Sequence, residues 1–408
     1  MSATPEVGYS EWKPSYLRVV LTFGVLMAIT PLTIDMYLPG VPQMVADLDA
    51  STSQGAATVT GMLIGMAVGQ IVIGPLVDAW GRHRPIMIGL VLHALTSVAI
   101  AFAPTIESLL ALRVLQGLVG SMLTVTITAA VRDLYSGRKA AALFSQLMLV
   151  LGVAPILAPA LGSAVLQFTS WRGIFIVLAV VTALLLVVTV LGVRETLPKE
   201  RRRVAGLKSS LQTYALVLKD PAYLAMVVVN GMTSAAMFTY IAASPFIFQE
   251  MFGLSEGRYA LVFGVNAAVM ILMVQLNPVL LRRFNPGPIM VGALALATVT
   301  ATLLMITSHL QIGGVLLVAG LIALTNGFSG LAGPNSQAIA LHRHGAHAGS
   351  AAALLGTARF ATAGVVGPVV GLFLTDTAAP LGVLMALAQV IALIAVGLAW
   401  KRITAEQY

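Results

Sequence analysis

Three ionisable side chains stand where the surrounding sequence is almost wholly apolar: Asp35, Arg113 and Arg359. A charge at the centre of a bilayer-spanning helix costs about 2.5–3.5 kcal/mol on insertion scales, so such residues pair, line a water-filled cavity or bind something. Asp35 lies about five residues from the C-terminal end of run 17–40, and Arg113 about six from the N-terminal end of run 107–131, the outer end of each. At about 1.5 Å per helical residue their depths agree within a few Å. An Asp35–Arg113 pair, or a shared polar cavity, is expected. Burial and a neighbouring guanidinium act in opposite senses on the proton affinity of a carboxyl. A carboxyl under both influences gains or loses a proton when its partner moves. The alternative is a static ion pair that ties two helices together.

The other polar residues of the apolar runs fall into faces. Arg113, Gln116, Gly117, Gly120 and Thr124 share one side of a helix at helical spacing. Glycines alone would signal close packing; the Arg points to function. Arg359 lies near the middle of its run and is expected to meet a substrate's anionic or carbonyl group, or else Asn326 or Asn335. Tyr37, Thr124, Asn230, Tyr240, Asn266, Asn326, Asn335 and Arg359 are the candidate cavity lining, with interhelical hydrogen bonding as the alternative for each asparagine. His93 is either a neutral, hydrogen-bonded side chain or a proton relay. His342, His344 and His347 have no carboxylate neighbour in sequence and are expected in a solvated loop. No metal and no cofactor is expected. Gly152, Pro155, Pro159 and Gly162 fall on one side of the fifth run; proline bends a membrane helix and frees carbonyls, so a kinked helix packed on a distant partner is expected. Gly364, Gly367, Pro368 and Gly371 repeat the theme in the eleventh run.

The elements that must carry these residues follow from composition. Of 408 residues, 58% are hydrophobic and 9% charged, against about 25% charged in soluble domains. A spanning helix needs about 20 apolar residues. The runs are 17–40, 58–79, 85–103, 107–131, 140–165, 173–193, 221–243, 259–281, 288–308, 312–341, 348–373 and 380–400. The expected fold is all-α and polytopic: twelve transmembrane helices in two pseudo-symmetric six-helix bundles, 17–193 and 221–400. Segments 1–16, 194–220 and 401–408 would lie in the cytoplasm. Within 194–220 the stretch from Ser209 to Leu218 could rest on the membrane as an amphipathic helix, although a solvated linker is expected. Residues 1–16 are polar, with Glu6, Glu11 and Lys13, and no cleavable signal peptide is expected. Cysteine is absent, which excludes disulfides and thiol chemistry.

The net charge of +8 is not a nucleic-acid footprint. Nineteen basic residues, Arg18, Arg82, Arg84, Arg132, Arg194, Arg282, Arg343 and Arg402 among them, fall at one set of helix ends, while Arg172 and Arg258 fall at the other. The positive-inside bias therefore places both termini in the cytoplasm. Residues 74–89, GPLVDAWGRHRPIMIG, align without a gap on 277–292, NPVLLRRFNPGPIMVG. Pro75, Pro85, Ile86, Met87 and Gly89 match Pro278, Pro288, Ile289, Met290 and Gly292. Repeated halves around a midplane site are the usual build of secondary transporters.

The stretch Gly74-Pro75-Leu76-Val77-Asp78-Ala79-Trp80-Gly81-Arg82-His83-Arg84 resembles the inner-loop signature of the major facilitator superfamily, Gly-x-Leu-x-Asp-x-x-Gly-Arg-Arg/Lys-x. His83 replaces a basic residue, and Arg84 offsets it. The resemblance implies that Asp78 stabilises one conformation by approaching the start of the eleventh helix, here near Gly349 and Ser350, where an anion is favoured. Arg82 is further expected to reach Asp133. Arg113, Gln116, Gly117 and Gly120 resemble that superfamily's proton-transfer motif. Gly152 to Gly162 resembles its antiporter motif, Gly-Pro-x-x-Gly-Gly, with departures at Ala158-Pro159 and Ser163. Asp35-Met36-Tyr37-Leu38-Pro39, Val131-Arg132-Asp133-Leu134-Tyr135, Ser170-Trp171-Arg172 and Glu195-Thr196-Leu197-Pro198 are similar to the bicyclomycin- and chloramphenicol-resistance exporters, the Bcr/CflA group.

That resemblance implies proton-driven export of small drugs, amphenicols among them, across the bacterial inner membrane. It implies Asp35 as the proton-binding residue, a cavity lined by helices 1, 4, 7 and 10, and a proton gradient as the only energy source. A monomer in a lipid bilayer, with small-molecule and proton partners, is expected. The competing reading is a proton-coupled nutrient importer with the same fold. A sensor would need a sizeable soluble domain, and no segment between the runs exceeds about 30 residues. An intramembrane enzyme would need a metal, nucleophile or cofactor motif, and none occurs.

Overall fold

The computed structural model describes residues 12, 14–135, 137–202, 213–344, 348–373 and 377–404. Among them there are helices and no strand. The long helices are α1 (Tyr16–Asp35), α2 (Thr52–Trp80), α3 (His83–Ala101), α4 (Ile106–Leu134), α5 (Gly137–Leu166) and α6 (Trp171–Gly192). They continue as α7 (Pro221–Pro245), α8 (Glu256–Leu280), α9 (Pro286–His309), α10 (Gly314–Arg343), α11 (Ala348–Phe373) and α12 (Ala379–Thr404). Eleven described stretches are long and apolar enough to cross a bilayer, and Ala351–Val365 within α11 is a shorter apolar run. Apolar side chains such as Leu191, Leu316 and Leu398 stand fully outward, as a lipid-facing wall requires. This is a multi-pass membrane protein.

Helix ends follow local chemistry. Ser51 and Gln54 form a reciprocal capping box at the start of α2, and Thr105 and Ser108 do so at α4. Asp220 caps α7 by accepting from the Ala222 N–H, with Pro221 in the first position, where a missing N–H costs nothing. Gly81, at φ +88°, ends α2 in a conformation other residues rarely adopt.

The first span departs from the expected single run 17–40. α1 stops at Asp35, a 3₁₀ turn covers Leu38–Gly40, and a short helix follows at Val41–Asp47. Pro39 lies four residues after Asp35 and has no N–H to give the Asp35 carbonyl, so the helix breaks there. The apolar stretch runs on to Asp47, and Asp35 is the last residue of α1 rather than a residue inside a continuous helix. Gly162 of α5 packs on this break: a Cβ there would stand 1.8 Å from the Met36 carbonyl oxygen.

In the first half α2 packs on α4, α3 on α4 and α6, and α1 on α4 and α5. In the second, α9 packs on α10 and α12, α7 on α10, α11 and α12, and α8 on α10. Across the halves α2 meets α11 and α7, and α5 meets α8. Small residues make these approaches possible: Gly152 faces Ile271, Gly264 faces Ile156 and Gly364 faces Ile64. The matched windows 74–89 and 277–292 occupy the same joint of their halves, α2 to α3 and α8 to α9.

Candidate functional site

Where the halves meet they enclose a cavity of about 410 Å³. Thr30 and Asp35 of α1, Gln70 of α2, Thr124 of α4 and Gly152 and Pro155 of α5 line it from one side. Tyr240, Asn266, Asn326 and Arg359 line it from α7, α8, α10 and α11, with Phe238, Phe263 and Phe360. The wall is thus mostly apolar and aromatic with a few convergent polar groups, the make-up of a small-molecule site. Helices α2, α5, α8 and α11 contribute as well as the expected α1, α4, α7 and α10.

Asp35 is 3% exposed, and its buried Oδ1 takes no hydrogen bond from the protein. Neither expected relation to Arg113 is found: the two make no ion pair, and Arg113 is absent from the cavity wall that Asp35 lines. Arg113, fully buried, has found closer partners. Its Nε donates to the Thr58 carbonyl at 3.2 Å. Its Nη1 donates to the Thr33 carbonyl at 3.1 Å and to Gln116 Oε1 at 2.8 Å. The guanidinium carbon lies 4.4 Å from the centre of the Tyr37 ring, a favourable cation–π distance. Gln116 passes the network to Ser97 Oγ at 2.9 Å. Arg113 therefore ties α4 to α1, α2 and α3, while its Nη2 has no partner.

Three candidate lining residues lie elsewhere. Tyr37 is covered by Arg113, and its hydroxyl bonds Thr58 Oγ1 at 2.8 Å. Asn335 donates from Nδ2 to Asn277 Oδ1 at 2.8 Å and to the Leu331 carbonyl at 2.9 Å. Asn230 is absent from the cavity wall. Arg359 and Asn326 share the cavity; Arg359 and Asn335 do not. Among the described residues Arg359 makes no ion pair. Gln70, Thr30 and the three phenylalanines were not singled out in the sequence. Gln70, a carboxamide inside an apolar run, carries the same signal as the asparagines.

The remaining motif residues explain one another. Gly117 backs onto the Met62 carbonyl and Gly65 onto the Val114 carbonyl, so α2 and α4 touch backbone to backbone. Gly120 approaches Thr30, and Gly74 has open space around it. Pro155 and Pro159 lie within α5. His93 is buried between Thr33 Oγ1 at 2.9 Å and Thr182 Oγ1 at 3.1 Å, away from the cavity. His342 is exposed, and His347 lies outside the described residues.

At the ends of the helices that carry most Lys and Arg, distant sequence motifs converge. Arg82 donates from Nε to Asp133 Oδ2 at 2.8 Å and from Nη1 to Asp78 Oδ1 at 2.7 Å. Thr196 Oγ1 donates to Asp133 at 3.0 Å. Glu195 accepts from the N–H groups of Arg82, Thr196 and Leu197, at 2.8, 3.0 and 3.0 Å. It thereby satisfies a free donor at the start of α3. The first residues of the 194–220 linker are therefore built into the bundle rather than solvated; Thr196 and Leu197 are buried. Of the stretch from Ser209 to Leu218, residues 209–212 lie outside the described residues. The helical turn at 213–217 buries Tyr214 and Val217. Arg84 is exposed. The approach of Asp78 to Gly349 and Ser350 involves surroundings outside the described residues.

The second half has its own clasp there. Asp220 accepts from Arg343 Nε at 2.7 Å and lies 3.2 Å from His344 Nε2, joining α7 to the end of α10. Partial burial pushes the Asp220 carboxyl up, but the Arg343 hydrogen bond, the Ala222 N–H and the Arg343 charge outweigh it and hold the group below its usual range. A carboxyl held lower in the folded state adds stability above its unfolded pKa of about 4 and loses it as pH falls through its folded value. Thermal melts of the wild type and Asp220→Asn in detergent are expected to differ at pH 7 and to converge below about pH 4. A difference that persists at acid pH would refute the clasp. At the opposite end, Asp47 pairs with Arg172 and accepts from Trp171 Nε1, tying the short helix to α6.

The similarities to other proteins fit this geometry. The fold matches the xylose transporter XylE from E. coli, in a partially occluded inward-open conformation, with a TM-score of 0.72 at 13% identity over 95% of this chain and 97% of that one. It matches the peptide transporter POT in complex with sulfate with a TM-score of 0.76 at 17% identity over 98% and 97%. The sequence is 34% identical to an uncharacterized MFS-type transporter, YdgK, of Bacillus subtilis (strain 168), over 92% of this chain and 94% of the relative. It is 30% identical to a bicyclomycin resistance protein homolog of Haemophilus influenzae over 92% and 94%. It is also 30% identical to the multidrug resistance protein MdtL of Escherichia coli O157:H7 (strain EC4115 / EHEC) over 67% and 69%. With two helical halves around a shared cavity, and with residues 23–368 matching the family profile, the chain belongs to the Major Facilitator Superfamily.

Proposed function

We propose that this protein exports small, moderately apolar compounds, amphenicols among them, from the bacterial cytoplasm in exchange for protons, by alternating access. The observation that carries the reading is Asp35, a buried carboxyl with no hydrogen bond to Oδ1, on the wall of a cavity lined by both halves. The names of two relatives, bicyclomycin resistance protein homolog and multidrug resistance protein, support export. The basic helix ends would face the cytoplasm by the positive-inside bias, with 1–16, 194–220 and 401–408 on that side and the inner membrane as the location. The protein would act as a monomer, with no cofactor beyond the proton gradient and no nucleic-acid partner.

In this reading Asp35 takes a proton in the outward-facing state. Its attraction to Arg113, whose Nη2 has no partner, weakens, and the inward-facing state gains. Substrate then enters the cavity and the proton leaves to the cytoplasm. Coupling requires that proton and substrate each bind the two states unequally. Gly152 and Pro155, on the cavity wall and on the α5–α8 seam, would bend as the halves rock.

Import with the same fold is the competing reading, and direction separates them. Cells expressing the protein are expected to tolerate about tenfold higher concentrations of at least one compound in a growth-inhibition panel, and to hold less of it inside, than cells without it, a margin well below the drive of one charge at 100 mV. Greater accumulation in expressing cells would favour the importer.

A further inference from the structure

Two asparagine pairs bridge α8 and α10, and they differ in one respect. In the pair Asn277–Asn335 no buried amide atom is without a partner. In the pair Asn266–Asn326, on the cavity wall, one bond of 3.1 Å joins the two amides, and Asn266 Nδ2 and Asn326 Oδ1 are both buried without a partner. These residues are 3% and 2% exposed. Whichever way the two amides are assigned, one amide NH2 group and one C=O oxygen of the joined pair stay without a partner. Buried polar groups are nearly always satisfied, and an orphan at a site calls for a ligand or water.

We propose that the Asn266–Asn326 pair reads an amide edge, an N–H and a C=O presented side by side, as in a lactam or imide, on a neutral substrate with an apolar or aromatic body. The inference rests on taking this cavity as the substrate site. A cis-amide edge donates to the free carbonyl and accepts from the free amide, closing two parallel hydrogen bonds. The rest of the wall suits the body: Tyr240 stacks on Phe263 with centroids 5.4 Å apart, and Phe238 stands beside them on the wall. Sites built to hydrogen-bond a substrate group reject analogues that lack it, because the site's own buried groups are then left unpaired. Methylation of the amide nitrogen removes the donor and blocks the edge.

The test is equilibrium binding to the full chain in lipid nanodiscs at fixed pH with no gradient, corrected for partition into empty nanodiscs. The probes are 3-benzylpiperidin-2-one and its N-methyl derivative. The wild type is expected to bind the N–H lactam about tenfold more tightly or better. Asn266→Leu/Asn326→Leu, which removes both partners together and so strands neither, is expected to bind the two alike. Asn277→Leu/Asn335→Leu is expected to keep the preference. Equal affinity of the wild type for the two probes, binding of neither, or a preference that survives in Asn266→Leu/Asn326→Leu would overturn the proposal; the wild-type comparison decides it even if a variant fails to fold. Because no gradient is present, failure of proton coupling and failure of amide recognition show up separately.

Discussion

Asp35→Asn is expected to fold normally, bind substrate and lose all concentrative transport. The substitution keeps the shape of the side chain and removes the proton site. Asp35 Oδ1 takes no hydrogen bond in this structure, so the amide breaks no network. A potential of 100 mV supplies about 2.3 kcal/mol per charge moved, or about a 50-fold concentration ratio. In the variant that ratio should fall to one. Cells expressing it should be as sensitive to drug as cells without the protein, at equal folded yield. Resistance retained by the variant would remove Asp35 from the mechanism.

Gly117→Ala is expected to cost about 3 kcal/mol of stability, at the upper end of what overpacking usually costs. A Cβ at Gly117 would stand 1.9 Å from the Met62 carbonyl oxygen, and one at Gly65 would stand 1.9 Å from the Val114 carbonyl. Neither neighbour is a flexible side-chain end. Both are helix backbone, so α2 and α4 must separate, and Arg113, which bonds the Thr58 carbonyl of α2, separates with them. Gly74→Ala is the contrast. Nothing lies within 4 Å of a Cβ there, and the change should be neutral or stabilising by up to about 1 kcal/mol. Folded yield and melting temperature of the two variants, by fluorescence-detected size exclusion after heating, check both. A Gly117→Ala protein as heat-stable as the wild type would contradict the backbone contact.

The helices were legible because a bilayer demands long apolar runs and punishes exceptions. The cluster of Arg82, Asp78 and Asp133 was legible in part, since charges at helix ends must find partners. Glu195 as the acceptor at the start of α3 was not, because nothing in local sequence brings residues 82 and 195 together. The end of the first helix at Asp35 is not legible because hydropathy runs through Pro39, whereas the helix cannot. An Asp35–Arg113 pair, or a shared polar cavity, follows from matched depth alone. Depth leaves azimuth open, and the guanidinium turns instead to the Thr33 and Thr58 carbonyls and to Tyr37. Asn266, Asn326 and Asn335 were all visible as polar residues in apolar helices. Which of them face the cavity depends on how α8 and α10 rotate against one another, and one sequence does not encode that in any simple periodicity.

The claim that Asp35 couples proton flow to transport is tested most directly in proteoliposomes with an acidic lumen and a neutral bath, using a drug to which expression confers resistance. The wild type should accumulate the drug in the lumen as protons leave, reversing the gradient should abolish accumulation, and Asp35→Asn should only equilibrate. Undiminished gradient-driven uptake by Asp35→Asn, or uptake by the wild type that requires an acidic bath instead, would contradict it.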